Sequence, residues 1–142
     1  METKHEIITI KTKVKADIPL VWELLTTPEH IKKWNRANDD WQTTKATNDL
    51  RAGGKFLSRM EAKDGSMGFD FVGTYDKVVA KKGIYYTLDD GRKVEITFTS
   101  QGNTTEIIEI FEAENNNPID MQQAGWQAIL DNFKNYVESE QR

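Results

Sequence analysis

The sequence predicts an α+β fold, with one curved antiparallel sheet of six or seven strands wrapped around a long C-terminal helix and two short helices following the first strand. Three observations carry that expectation. Apolar and polar residues alternate near the N-terminus, further alternating runs separated by Gly- and Asn-containing turns fill the middle, and an apolar repeat at helical spacing occupies the C-terminal part. The 142 residues suit one domain spanning 1–142, long enough to bury a core without covalent staples.

Taken in order, Glu6 to Ala16 places Ile8, Ile10 and Val14 on one face and Thr9, Lys11, Lys13 and Lys15 on the other, the period-two pattern of a half-buried strand. This strand is expected at or near a sheet edge, beside the last strand. Asp17 precedes a short amphipathic stretch, Ile18 to Leu25. Thr27-Pro28-Glu29 then repeats a helix start: a hydroxyl cap, Pro at the first helical position and an acid in the first turn. Trp22, Leu25, Ile31 and Trp34 are the apolar contacts of these two helices.

Between Trp41 and Glu114, turns are marked by Ala52-Gly53-Gly54, Asp64-Gly65, Asp89-Asp90-Gly91 and Gly102-Asn103, which reads as a meander rather than a βαβ repeat. A primed two-residue turn at Asp64-Gly65 sets Met60 opposite Phe69 and Ser58 opposite Phe71, gathering Phe56, Met60, Met67, Phe69 and Phe71 on one face and pairing Arg59 with Asp70 on the other. A three-residue loop at 89–91 with Gly91 left-handed sets Ile84 opposite Ile96 and Tyr86 opposite Val94. After Pro118, Asp120 with Gln123 forms a capping-box-like start. Trp126, Ile129, Leu130, Phe133, Tyr136 and Val137 then recur at helical spacing, predicting a helix from about Met121 to Glu138.

Composition removes several function classes. Cys is absent, so no disulfide framework, thiolate nucleophile or Cys-based zinc site is available, which fits a reducing, cytoplasmic location. The N-terminus shows no secretory apolar region, and no eighteen apolar residues run together, so no membrane partner is expected. A net charge of −4 with only the short basic pairs Lys32-Lys33 and Lys81-Lys82 argues against nucleic acid.

Several local sequences, in this order, carry a resemblance that spans nearly the whole chain. Val21 to Glu29 followed by Trp34, then Arg51-Ala52-Gly53-Gly54-Lys55-Phe56, Gly73-Thr74-Tyr75, and Gly125-Trp126 with Leu130 resemble the family related to the activator of the heat-shock chaperone ATPase, within the START-like (SRPBCC) helix-grip superfamily. That resemblance implies a cavity-bearing helix-grip fold, whose members include binders, carriers, co-chaperones and a few enzymes. One departure is the stretch Asn35 to Asp40, more polar than the Pro-containing segment usual after the first Trp.

Catalytic machinery is hard to assemble from these residues. His5 and His30 are far apart, with no partner at ligand spacing, so neither a metal site nor another cofactor is expected, and His30 reads as a solvated helix residue. The serines lack a nucleophile-elbow context, and Gly53-Gly54 lacks the sequel of a phosphate loop. Glu95 and Glu109 sit in strands where alternation could turn one inward as an acid or base, but both are expected to face water between polar neighbours. Gly125, inside a helix where Gly costs about 1 kcal/mol relative to Ala, reads either as close helix-to-sheet contact or as room for a ligand beside Trp126.

The leading functional expectation is therefore a non-catalytic protein holding an apolar small molecule between sheet and C-terminal helix. Its candidate contacts are Phe56, Met60, Phe69 and Phe71 from the first hairpin and Tyr86, Ile96 and Phe98 from the second. Gly125, Trp126 and Ile129 oppose them from the helix. A co-chaperone-like interaction with a protein partner is the first alternative, and a cyclase or hydratase using one buried acid or base the second.

Overall fold

A computed structural model describes residues 6–140; His5 lies outside the described residues. The chain forms β1 (Ile7–Val14), α1 (Ile18–Thr26), α2 (Pro28–Trp34), β2 (Trp41–Asn48), β3 (Lys55–Ala62), β4 (Gly68–Val79), β5 (Gly83–Leu88), β6 (Lys93–Gln101), β7 (Thr104–Glu112) and α3 (Ile119–Glu140). The strands make one sheet in the order β1-β7-β6-β5-β4-β3-β2, with every neighbouring pair antiparallel. The expected place of β1, at an edge beside the last strand, is the one observed.

Both registers expected for the hairpins are present: Met60 pairs with Phe69, Ser58 with Phe71, Ile84 with Ile96 and Tyr86 with Val94. The 89–91 loop is closed by Leu88 N–H donating to the Arg92 carbonyl at 2.8 Å, with Gly91 at φ +92°. The 64–65 turn differs from expectation. A primed two-residue turn needs positive φ at Asp64, and only Gly65 has it, at +79°. Instead Gly65 N–H bonds the Ala62 carbonyl and Ala62 N–H bonds the Met67 carbonyl, each at 2.9 Å, so a four-residue loop yields the same register. The β4–β5 connection carries no Gly or Asn; there Lys81 takes the left-handed conformation at φ 64°.

Two register shifts, between Thr43 and Lys45 in β2 and between Tyr75 and Lys77 in β4, bend the sheet so that it curls. The β2–β3 loop is fastened at the second of these, where Gly53 N–H donates to the Tyr75 carbonyl at 2.8 Å and Tyr75 N–H donates to the Gly54 carbonyl at 2.9 Å.

Thr27 is shared between the short helices: its N–H donates to Glu23 O and its carbonyl accepts from Ile31 N–H. The expected hydroxyl cap is not formed, because Thr27 makes no side-chain capping bond. Nor does Asp120 cap α3, which begins earlier, at Ile119. Pro118 accepts the first helical bond, from Gln122 N–H at 3.1 Å, placing Asp120 inside the first turn. The helix start is secured by Gln122, whose Oε1 accepts from Glu114 N–H at 2.9 Å while Nε2 donates to the Glu114 and Asn117 carbonyls at 3.1 and 2.8 Å.

The core lies on the concave face. Ile8, Ile10 and Val14 of β1, Ile107 and Phe111 of β7, and Val94 and Phe98 of β6 are buried there with Val21 and Leu24 of α1 and Leu130, Phe133 and Val137 of α3. Burying each such side chain contributes roughly 1.5–3 kcal/mol. Trp34 bridges the helices, its ring 5.0 Å from that of Phe133 and its indole N–H donating to the Leu24 carbonyl at 2.9 Å. His30 is held rather than solvated: its Nδ1 lies 2.6 Å from the Tyr136 hydroxyl. No described helix is long and apolar enough to cross a membrane.

Candidate functional site

Toward the end of the concave face nearest β3 and β4, sheet and α3 separate and enclose a cavity of about 470 Å³. Its floor comes from alternation along the strands, which turns Phe56, Ser58 and Met60 of β3, Phe69, Phe71 and Tyr75 of β4, Ile84 and Tyr86 of β5, Ile96 of β6 and Glu109 of β7 inward. Gly125, Trp126 and Ile129 form the opposing wall, with Leu25, Ile31 and Trp34 from the short helices at one side. Asn35, from the polar stretch after Trp34, joins this side, and its carbonyl accepts from the Thr43 hydroxyl at 2.6 Å. The neighbouring Arg36 carbonyl accepts a bond from the Asn132 amide of α3.

The aromatic side chains brace one another. Trp126 stacks on Phe111 with ring centres 3.9 Å apart, and Phe71 meets it edge-on at 6.0 Å. Phe56 lies between Tyr75 at 5.3 Å and Tyr86 at 4.8 Å. Gly73 makes room for that ring, since a Cβ there would stand 2.7 Å from it. Phe69, 47% exposed, and Met121, 61% exposed, place apolar surface at the rim.

Of the residues singled out from the sequence, Phe56, Met60, Phe69, Phe71, Tyr86, Ile96, Gly125, Trp126 and Ile129 all line this cavity. Phe98 does not; it is buried against Trp22 of α1, ring centres 5.6 Å apart, in the solid part of the core. The close-contact reading of Gly125 is wrong: nothing lies within 4 Å of where its Cβ would stand. A side chain there would enter the cavity.

Polar groups on the wall fall into two kinds. Tyr75 donates to Asn48 Oδ1 at 2.5 Å, and Asn48 in turn donates to the Thr26 carbonyl at 2.7 Å, so these groups satisfy one another. Glu109 and the Tyr86 hydroxyl have no hydrogen-bond partner among the described residues. Glu109 stands between Ile10 of β1 and Ile96 of β6, which removes it from the water-facing position expected of it. Part of its surface stays accessible although protein surrounds it, because what it exposes is cavity. That burial pushes its carboxyl up to about 8. The Tyr86 hydroxyl is pushed up as well, by burial first and then by the nearby Glu109. Glu95, by contrast, pairs with Tyr85 and Ile110 on the outer face, as expected.

Arg92 also reaches the wall; its Nε donates to Asp90 at 2.8 Å, leaving the terminal guanidinium nitrogens without a hydrogen bond to a described residue. Among the described residues no three His, Asp or Glu side chains converge as metal ligands. Chemically, the site can enclose an apolar body and present it with the unpaired groups of Glu109 and Tyr86.

The Glu109 position was readable in principle. In Thr104 to Glu112 both parities carry two apolar residues, Ile107 and Phe111 against Ile108 and Ile110, so β7 alone is ambiguous. Pairing it with Ile8 and Ile10 settles the parity and turns Glu109 inward.

Comparison with known proteins agrees with this architecture. The profile of the family described as Activator of Hsp90 ATPase homolog 1-like protein matches residues 15–138. An AHSA1-like protein from Aeromonas hydrophila, solved in solution, is 45% identical with a TM-score of 0.88, over 94% of this chain and 93% of that one. A protein from Cytophaga hutchinsonii is 52% identical with a TM-score of 0.81, over 93% and 92% of the two chains. A crystal structure from Nitrosomonas europaea, 21% identical over 95% of this chain and 96% of its own, shares the fold with a TM-score of 0.82. No curated protein matches the sequence. With its seven-stranded curled sheet closed on a long C-terminal helix and a family match over most of its length, this chain belongs to the Activator of Hsp90 ATPase homolog 1-like family, in the helix-grip fold.

Proposed function

We propose that this chain is a non-catalytic binding protein that holds an apolar small molecule between the concave sheet and α3. The observation that carries this reading is the open interior beside Gly125, about 470 Å³ of space walled by aromatic side chains. A cavity of that size falls in the range of small-molecule sites, roughly 300–1,000 Å³. A flat or elongated ligand burying about 250 Å² of apolar surface gains roughly 6 kcal/mol before its ordering costs. Titration with fatty acids, flavonoid-like aromatics and an apolar dye, followed through tryptophan fluorescence, to which Trp34 and Trp126 of the cavity wall contribute, tests the reading. Binding tighter than about 100 μM, equivalent to about −5.5 kcal/mol, supports it. Uniform failure of all three classes counts against it and favours a protein partner seated at the rim, where Phe69 and Met121 are exposed.

A second reading is favoured by Glu109 alone. An unpaired carboxyl inside an apolar cavity is a candidate general acid or base, as a cyclase or hydratase would need. Binding without turnover separates the first reading from this one.

A further inference from the structure

The apolar walls say nothing of which polar group a ligand should carry, but the unpartnered groups on them do. Tyr75 and Asn48 face the same cavity with their hydrogen bonds already made to each other. Glu109 and Tyr86 have none, and Glu109 is flanked across the sheet only by the aliphatic Ile10 and Ile96. A polar group left unpaired in such surroundings has lost its water without replacement, so a ligand that supplies the missing partner is favoured over one that does not.

Resting on the cavity reading above, we propose that the cavity selects neutral, mostly apolar molecules bearing a carbonyl oxygen, which accepts hydrogen bonds from the Glu109 carboxyl and the Tyr86 hydroxyl. The titratable and charged groups lining the same space are Tyr75, Tyr86, Arg92, Glu109 and Glu114; Ile10 and Ile96 across the strands, and Trp126 and Ile129 of α3, bring none. Tyr86 senses both Glu109 and Arg92. With the Glu109 carboxyl raised to about 8, the group is protonated at neutral pH and donates. The Tyr86 hydroxyl keeps its proton too, and Arg92 can only donate. Donors therefore outnumber acceptors at this part of the wall. A carboxylate head would lose its hydration there for a cation whose charge Asp90 already offsets through Nε, although the terminal nitrogens of Arg92 make no hydrogen bond to a described residue, and an ammonium would face that same cation.

The test uses the full chain and isothermal titration with four probes of one shape: fluorene, 9-fluorenone, fluorene-9-carboxylate and 9-aminofluorene. At pH 6.5, 9-fluorenone is expected to bind about five- to tenfold tighter than fluorene, the effect of one to two well-made hydrogen bonds. At pH 9.5 that preference shrinks, because ionised Glu109 accepts instead of donating while the Tyr86 hydroxyl still donates. In Glu109→Gln the amide still donates, so the preference for the ketone persists at both pH values. In Tyr86→Phe, which loses only a hydroxyl, it shrinks at pH 6.5 and is lost at pH 9.5, where neither group donates. Equal binding of fluorene and 9-fluorenone overturns the proposal while leaving the cavity reading intact; failure of both to bind overturns the two together. Tighter binding of the carboxylate or the amine than of the ketone also overturns it.

Discussion

Replacing Glu109 with Gln should change how the stability of the protein depends on pH, by an amount the structure sets. The carboxyl lies between Ile10 and Ile96, and burial raises it from 4.5 to about 8. Between those values the native state keeps a proton that the unfolded chain has lost. Stability from this group is therefore full below pH 4.5, falls as pH rises at up to about 1.4 kcal/mol per unit, and stops falling above about pH 8, where the native carboxyl ionises as well. The full shift would cost about 2.3 kcal/mol between pH 6 and 8, and water entering the cavity lowers this to roughly 1–2 kcal/mol. Gln carries no titrating proton and nearly the same shape. Urea unfolding of both proteins at pH 5, 6, 7, 8 and 9 reads the difference directly, because every other titrating group cancels. The gap between Glu109→Gln and the natural protein should widen in favour of the variant from pH 6 to 8 and then level off. Parallel curves across that range would show that Glu109 is solvated and that alternation along β7 does not turn it inward.

Three further expectations follow from separate parts of the fold. Phe133→Ala should cost about 3–5 kcal/mol, because the ring is fully buried against Trp34, whereas Gln127→Ala, which loses exposed bonds to the Lys11 carbonyl and Asp131, should cost under about 1 kcal/mol. Equal melting temperatures would refute the helix face. Gln122→Ala should cost about 2–3 kcal/mol by thermal unfolding, since one side chain makes three bonds at the start of α3 and leaves Glu114 and Asn117 groups unpaired; a loss under 0.5 kcal/mol would show that the helix start does not depend on it. Gly125→Leu should leave the melting temperature equal or higher, because Leu is the better helix former by up to about 1 kcal/mol, while weakening binding of an apolar dye at least tenfold by filling the cavity. Undiminished binding would place the ligand elsewhere.

The elements most legible in the sequence were those where a single pattern decides. Alternation in Ile7–Val14 and the left-handed Gly91 each point to one geometry, and both are found. The register at Asp64-Gly65 was right although the turn was not, because a two-residue and a four-residue loop centred on the same pair oppose the same residues, and the inward aromatic rings favour that match in either case. What stayed hidden depends on contacts distant in sequence. Asp120 has the residue type of a cap, but Gln122 takes the role by reaching back to Glu114. His30 meets Tyr136 across 106 positions. Phe98 shares the inward parity of Ile96, yet lies where α1 covers the sheet, so the same face is solid at one end and hollow at the other. No local spacing encodes where a helix lifts away from a sheet, and Gly125 was ambiguous for that reason.

The most direct measurement of whether the cavity takes ligand is a methyl NMR titration with an apolar dye, with Ile and Met methyl groups labelled. Shifts are expected at Met60, Ile84, Ile96 and Ile129, which line the cavity from sheet and helix, with Ile7 and Met67, exposed outside it, unmoved. Shifts confined to Ile7 or Met67, or none at saturating dye, would contradict a binding site between the sheet and α3.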